Sequence, residues 1–143
     1  MRNRCWPFVL CLLLCGCTSQ PCNYLEFVNA QLQEHYSQQS NEYRYIVIIP
    51  RTGCHSCVEK ADQFFQEYKS SKDYLFIFTR LLSVKRLKIE VGSDNLGQGN
   101  VIIDKDDVFS TLQFPDSDYP ILLEKNDDGR FSCRYLNDII EYD

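Results

Sequence analysis

Basic charge is in short supply in this chain: 15 lysines and arginines stand against 20 aspartates and glutamates, for a formal charge of −5 at neutral pH. Binding a phosphate backbone takes clustered Lys and Arg. No such cluster is present, which removes nucleic acid from the partners to consider. Long hydrophobic runs are missing too. The most apolar stretch, residues 6–15, is about half the roughly twenty residues that a helix needs to cross a bilayer. There is no internal repeat and no low-complexity tract. What remains is a chain of 143 residues, 44% hydrophobic and 13% aromatic. That is enough for one packed domain and too little for two ordinary ones.

Cysteine is plentiful but uneven. Cys5, Cys11, Cys15 and Cys17 crowd the first seventeen residues, while Cys22, Cys54, Cys57 and Cys133 are scattered. A dense disulfide scaffold would space them through the whole chain. Cys54 and Cys57 stand two residues apart between the apolar run Ile46-Val47-Ile48-Ile49 and an amphipathic segment that begins near Ser56. A strand, a short Pro/Gly turn and a helix are expected in that order, so the pair would sit at a helix N-terminus. Unpaired N–H groups and the helix dipole favour a thiolate there. A redox dithiol is the reading to test. Two others stay open: half of a zinc or copper site, and a plain structural disulfide. Zinc needs further ligands, and Cys22, Cys133 and His35 lie far off in sequence. Val58, not His, follows Cys57, so the haem-attachment motif is missing. The sequence leaves Cys22 and Cys133 open to pairing, staying free or neither, with a structural bridge as the default expectation.

Hydrophobic periodicity places the other elements. Leu25, Val28, Leu32 and Tyr36 recur at helical spacing and predict a helix over 23–38, with His35 partly buried beside the stripe and a polar loop after it. Residues 43–49 and 73–79 read as strands buried on both faces, joined by a helix over 56–69. That βαβ unit belongs in a parallel sheet. A helix over 83–91, a loop over 92–100 and a short strand at 101–103 follow. Asp104, Asp106 and Asp107 are expected as a solvated cap of a short helix through Val108, Phe109 and Leu112, rather than as a cation site. Strands at 121–125 and 130–135 flank the turn Asn126-Asp127-Asp128-Gly129. A last short helix covers 136–142.

The N-terminus carries Arg2 and Arg4 before its short apolar run, as a secretory signal does. Leu14-Cys15-Gly16-Cys17 resembles the lipobox of bacterial lipoproteins. The resemblance implies removal of residues 1–16, a lipid on Cys17, and a tether over 17–22 ahead of a domain at 23–143. It also implies a place in the bacterial cell envelope facing the periplasm. Thr18-Ser19-Gln20 lacks the aspartate that holds such proteins at the inner membrane, which favours the outer one. A plain signal cleaved nearby is the alternative.

With the dithiol after the first core strand and a hairpin at the end, residues 43–135 resemble the thioredoxin superfamily, in particular its TlpA-type extracytoplasmic members. Three features carry this: Cys54-His55-Ser56-Cys57 between strand and helix, Tyr119-Pro120-Ile121 at the start of a later strand, and the stretch from Asp104-Lys105-Asp106 to Tyr119-Pro120. The resemblance implies an α/β thioredoxin-like fold, a central mixed sheet flanked by helices, here with an extra N-terminal helix. It implies a protein-disulfide oxidoreductase without a cofactor, exchanging with protein thiols and disulfides and with a redox partner. Cys54 would be the attacking thiolate, Cys57 the resolving thiol, and Pro120, placed in a cis bond by the family, the residue shaping the substrate groove. His55, when protonated, would lower the Cys54 pKa further; otherwise it is an exposed first-turn residue, and Pro120 an ordinary edge-strand proline. The chain departs from the family at Gly53, where an aromatic is usual, and at Ile48, near the place of a buried acid. Glu59, Asp62 or water would then take the proton from Cys57. The segment 52–60 also echoes the heavy-metal-associated domain, with Thr52 where that family has methionine. The alternative function is therefore a non-catalytic lipoprotein that binds Cu(I) or Zn, or that only engages other proteins.

Overall fold

The computed structural model describes residues 22–140. The expected leader at 1–16, the lipid site Cys17 and most of the tether lie outside the described residues. Cys22 is buried and belongs to the folded domain.

Two strands of continuous apolarity make the centre. β1 (Tyr45–Pro50) and β2 (Tyr74–Thr79) are buried at every position after the first. They pair in parallel, Ile46 with Leu75 and Ile49 with Phe78, because α3 (His55–Tyr68) carries the chain back between them. β3 (Val101–Ile103) adds in parallel beside β2, β4 (Ile121–Lys125) antiparallel beside β1, and β5 (Phe131–Tyr135) antiparallel beside β4. The result is a mixed five-stranded sheet in the order β3-β2-β1-β4-β5.

Alternation along the strands feeds two cores. Ile46, Ile48, Leu75, Ile77, Ile121 and Leu123 face Val28 and Leu32 of α1 (Leu25–His35). Val47, Ile49, Phe76, Phe78 and Leu122 face Ala61, Phe64 and Phe65 of α3 and Leu87 and Val91 of α4 (Val84–Val91). Phe65 meets Phe76 and Phe78 edge-on at 4.9 and 5.2 Å. Helices therefore cover both faces of an α/β domain, and among the described residues none is long and apolar enough to cross a membrane.

Several expected boundaries shift. The N-terminal helix stops at His35, and the polar stretch expected as a loop forms α2 (Ser37–Glu42). Lys125 Nζ donates to the carbonyls of Ser40 and Asn41 at the end of α2, which gives that polar turn a cap. Within the expected loop at 92–100 lies a single turn, α5 (Ser93–Leu96). The short helix expected after Asp104 is not formed. Asp107 has a left-handed backbone (φ 53°), and its carboxylate accepts the Arg80 N–H at 2.8 Å. The final helix shrinks to a 3-10 turn, Leu136–Asp138.

The expected Cys22–Cys133 bridge is present, with Cα atoms 5.5 Å apart. It ties the chain entering α1 to β5, an edge strand that is otherwise held on one side only.

Candidate functional site

Parallel strands deliver their carboxyl ends to one rim of the sheet, and the dithiol emerges there. β1 ends at Pro50; Arg51, Thr52 and Gly53 turn the chain, and Cys54 is the N-cap of α3. Cys54 and Cys57 form a disulfide across one helical turn, Cα to Cα 5.2 Å. Their environments differ. Cys54 is partly exposed, whereas Cys57 is only 4% exposed. No carboxylate occupies the first turn of α3, so nothing there offsets the positive end of the helix.

Around Cys54 the contacts are polar and local. Its Sγ lies 3.3 Å from Ser56 Oγ, which has the only hydrogen available when the disulfide is closed. His55 turns the other way: its Nε2 sits 3.1 Å from Glu59 Oε1, one turn along an exposed face. The structure therefore places His55 beside Glu59 rather than against the sulfur.

Asp62 is also committed. Arg51, with a side chain only 6% exposed, grips both Asp62 oxygens (2.5 and 3.2 Å) and donates to Glu90 Oε2 at 2.7 Å. Burial opposes the charge of this guanidinium, but its hydrogen bonds to Asp62 and Glu90 outweigh that and hold its pKa above the ordinary arginine value. Arg86 holds Glu90 as well, and the hydrogen bonds from Arg86 and then Arg51 keep the Glu90 carboxyl below its usual range. The end of β1 is thus pinned to α3 and α4 immediately before the dithiol. Sequence reasoning passed over Arg51; its signal was a lone cation closing a strand otherwise wholly apolar.

The segment before Pro120 closes the other side. Gly53 has φ 115°, and a Cβ there would lie 3.0 Å from the Asp118 carbonyl oxygen. Asp118 in turn forms an ion pair with Arg80, a residue held in the left-handed region (φ 52°) after β2. A glycine at position 53 is therefore required by the close approach of residue 118. Pro120 is buried and immediately precedes β4, two residues beyond that contact. The Tyr119–Pro120 bond is not cis; no peptide bond among the described residues is.

Asp104 is the clearest correction. Expected as a solvated cap, it is fully buried at the end of β3 and accepts from Thr79 Oγ1 at 2.7 Å and Tyr36 OH at 3.2 Å. Burial, followed by the charge of Asp104, pushes the Tyr36 phenol up to about 12. Asp104 lies two strand spacings from β1, about 10 Å, so it is a buried acid of the rim but not a neighbour of β1.

Among the described residues no group of three or more His, Cys, Asp or Glu side chains has the arrangement of a metal site. Cys22 and Cys133 are bonded to each other, and His35 lies beside Glu34. No family model matches the chain, and neither the curated proteins nor the solved structures give a match.

Proposed function

We propose that this domain is a thioredoxin-like thiol–disulfide oxidoreductase, held by a lipid on Cys17 at the periplasm-facing side of a bacterial envelope membrane. One observation carries the redox reading: the Cys54–Cys57 disulfide caps a helix, with one sulfur residue partly exposed and the other buried. In the reducing direction the Cys54 thiolate attacks a substrate disulfide. A mixed disulfide forms and the departing substrate thiolate takes a proton from water. The Cys57 thiol then loses its proton and attacks Cys54 Sγ, releasing the second substrate thiol. Two electrons pass to the substrate, and a partner dithiol must restore the pair. The reverse sequence oxidises a substrate dithiol. With Asp62 held by Arg51, Glu59 paired with His55 on the exposed face and no acid in β1, water takes the Cys57 proton. Pro120 and the segment before it form one wall of the groove.

The test is a redox titration of the purified domain in glutathione buffers, with metal counted per chain. A single two-electron transition that disappears in Cys54→Ser, with no metal bound, supports the enzyme. Stoichiometric metal and no reversible transition would overturn it in favour of a metal-binding lipoprotein.

A further inference from the structure

Next to the segment that packs on Gly53 is a cleft of about 220 Å³ lined by Asp116, Tyr119, Tyr135, Asn137 and Asp138. It is smaller than the roughly 300–1,000 Å³ of small-molecule sites, and suits a single side chain of a larger partner. We propose that this cleft is a substrate subsite for an arginine or lysine side chain flanking the cysteine that exchanges with Cys54. This rests on the redox reading above and names the substrate class it would select.

The chemistry of the lining is one-sided. Asp116 and Asp138 offer carboxylates, and Asn137 keeps its Oδ1 buried without a donor among the described residues. Tyr119 and Tyr135 stand edge-to-face at 6.2 Å and present aromatic surface. Carboxylates, an amide oxygen and ring faces all favour a group that only donates and carries positive charge. Asp116 already accepts Asn23 Nδ2 at 2.8 Å and Tyr135 OH at 3.4 Å, so its position is fixed before a ligand arrives. Asp138 is exposed at the mouth. Among the described residues no lysine or arginine lines the cleft to neutralise these acids.

Position links the cleft to the dithiol. Tyr119 follows Asp118, which approaches Gly53, and Gly53 precedes Cys54. A peptide laid across Cys54 therefore reaches the cleft within a few residues, at about 3.3–3.6 Å per extended residue.

The experiment compares disulfide exchange with two glutathione-like model peptides that differ only in one Arg or Glu beside the cysteine. A second probe, the Arg peptide with Ser in place of Cys, is followed by NMR at the Tyr119 and Tyr135 rings, a readout that needs no exchange. The Arg peptide is expected to react about fivefold faster than the Glu peptide, with the ratio falling towards one in Asp138→Asn and Asp116→Asn. Asp127→Asn, the same charge change in the hairpin turn, leaves the ratio in place. Equal rates, or a ratio that survives both variants, would overturn the subsite while leaving the dithiol reading intact. If neither peptide exchanges, the redox reading fails, and the subsite stands or falls on ring shifts with the Ser peptide.

Discussion

The carbonyl oxygen of Asp118 lies 3.0 Å from the position that a Cβ on Gly53 would occupy, and the Asp118 Cβ lies at 3.1 Å from it. Residue 53 is confined twice, by contact and by its φ of 115°. Gly53→Ala is expected to destabilise the domain by about 1–3 kcal/mol and to disturb the Arg80–Asp118 pair. Urea unfolding measures it; a midpoint equal to that of the parent would remove the close contact from the account.

Closing a loop between residues 111 apart, the Cys22–Cys133 bridge restricts the unfolded chain strongly. Its removal in Cys22→Ser/Cys133→Ser is expected to cost about 4–5 kcal/mol, read as an earlier unfolding midpoint under non-reducing conditions. The double variant keeps Cys54 and Cys57, so their redox transition should persist. Loss of that transition in a still-folded variant would mean that the two bridges are not independent.

Arg51 is a hub whose partners are only partly covered: the Asp62 side chain is 29% exposed and Glu90 32%. Arg51→Met is therefore expected to cost about 2–4 kcal/mol, below the full figure for breaking a wholly buried pair. The pH dependence follows from Glu90, whose folded pKa is lowered by Arg86 and Arg51. Its contribution is complete above the ordinary glutamate range, roughly pH 4–5, and is lost as pH falls through the lower folded value. Unfolding curves in acid should show the parent losing more stability than Glu90→Gln. Parallel curves would refute the assignment.

Asp104 accepts two hydroxyl donors inside the fold. Asp104→Ala leaves Thr79 and Tyr36 short of an acceptor and is expected to cost about 2–4 kcal/mol. In a double-mutant cycle with Thr79→Val, the pair should show coupling, because they share a hydrogen bond. Strict additivity would argue that the bond contributes nothing.

What the sequence made legible was whatever depends on neighbours in the chain. Five apolar residues in a row from Tyr45 and again from Tyr74 sufficed for the two central strands, and Asn126-Asp127-Asp128-Gly129 for the hairpin. The stripe Ala61, Phe64, Phe65 sufficed for α3. The misreadings share a different cause. Asp104 looked like a cap because its partners, Tyr36 and Thr79, are 68 and 25 residues away. Ser40 and Asn41 looked like a loop because the lysine that caps them is Lys125. Gly53 looked like a departure from pattern until Asp118 arrived beside it. In each case a long-range contact, polar at Asp104 and Lys125 and steric at Gly53, overrode a local preference, and no spacing rule carries that information.

The bridge between Cys22 and Cys133 also decides how the domain answers a pull. Tension entering along the chain before Cys22 and leaving after Cys133 passes through one sulfur–sulfur bond and bypasses everything between. The 111-residue separation holds about 370–400 Å of extensible backbone, none of which can be drawn out while that bond is intact. Reduction of this one bond, distant in sequence from Cys54 and Cys57, converts a mechanically inextensible unit into one that can unravel under load.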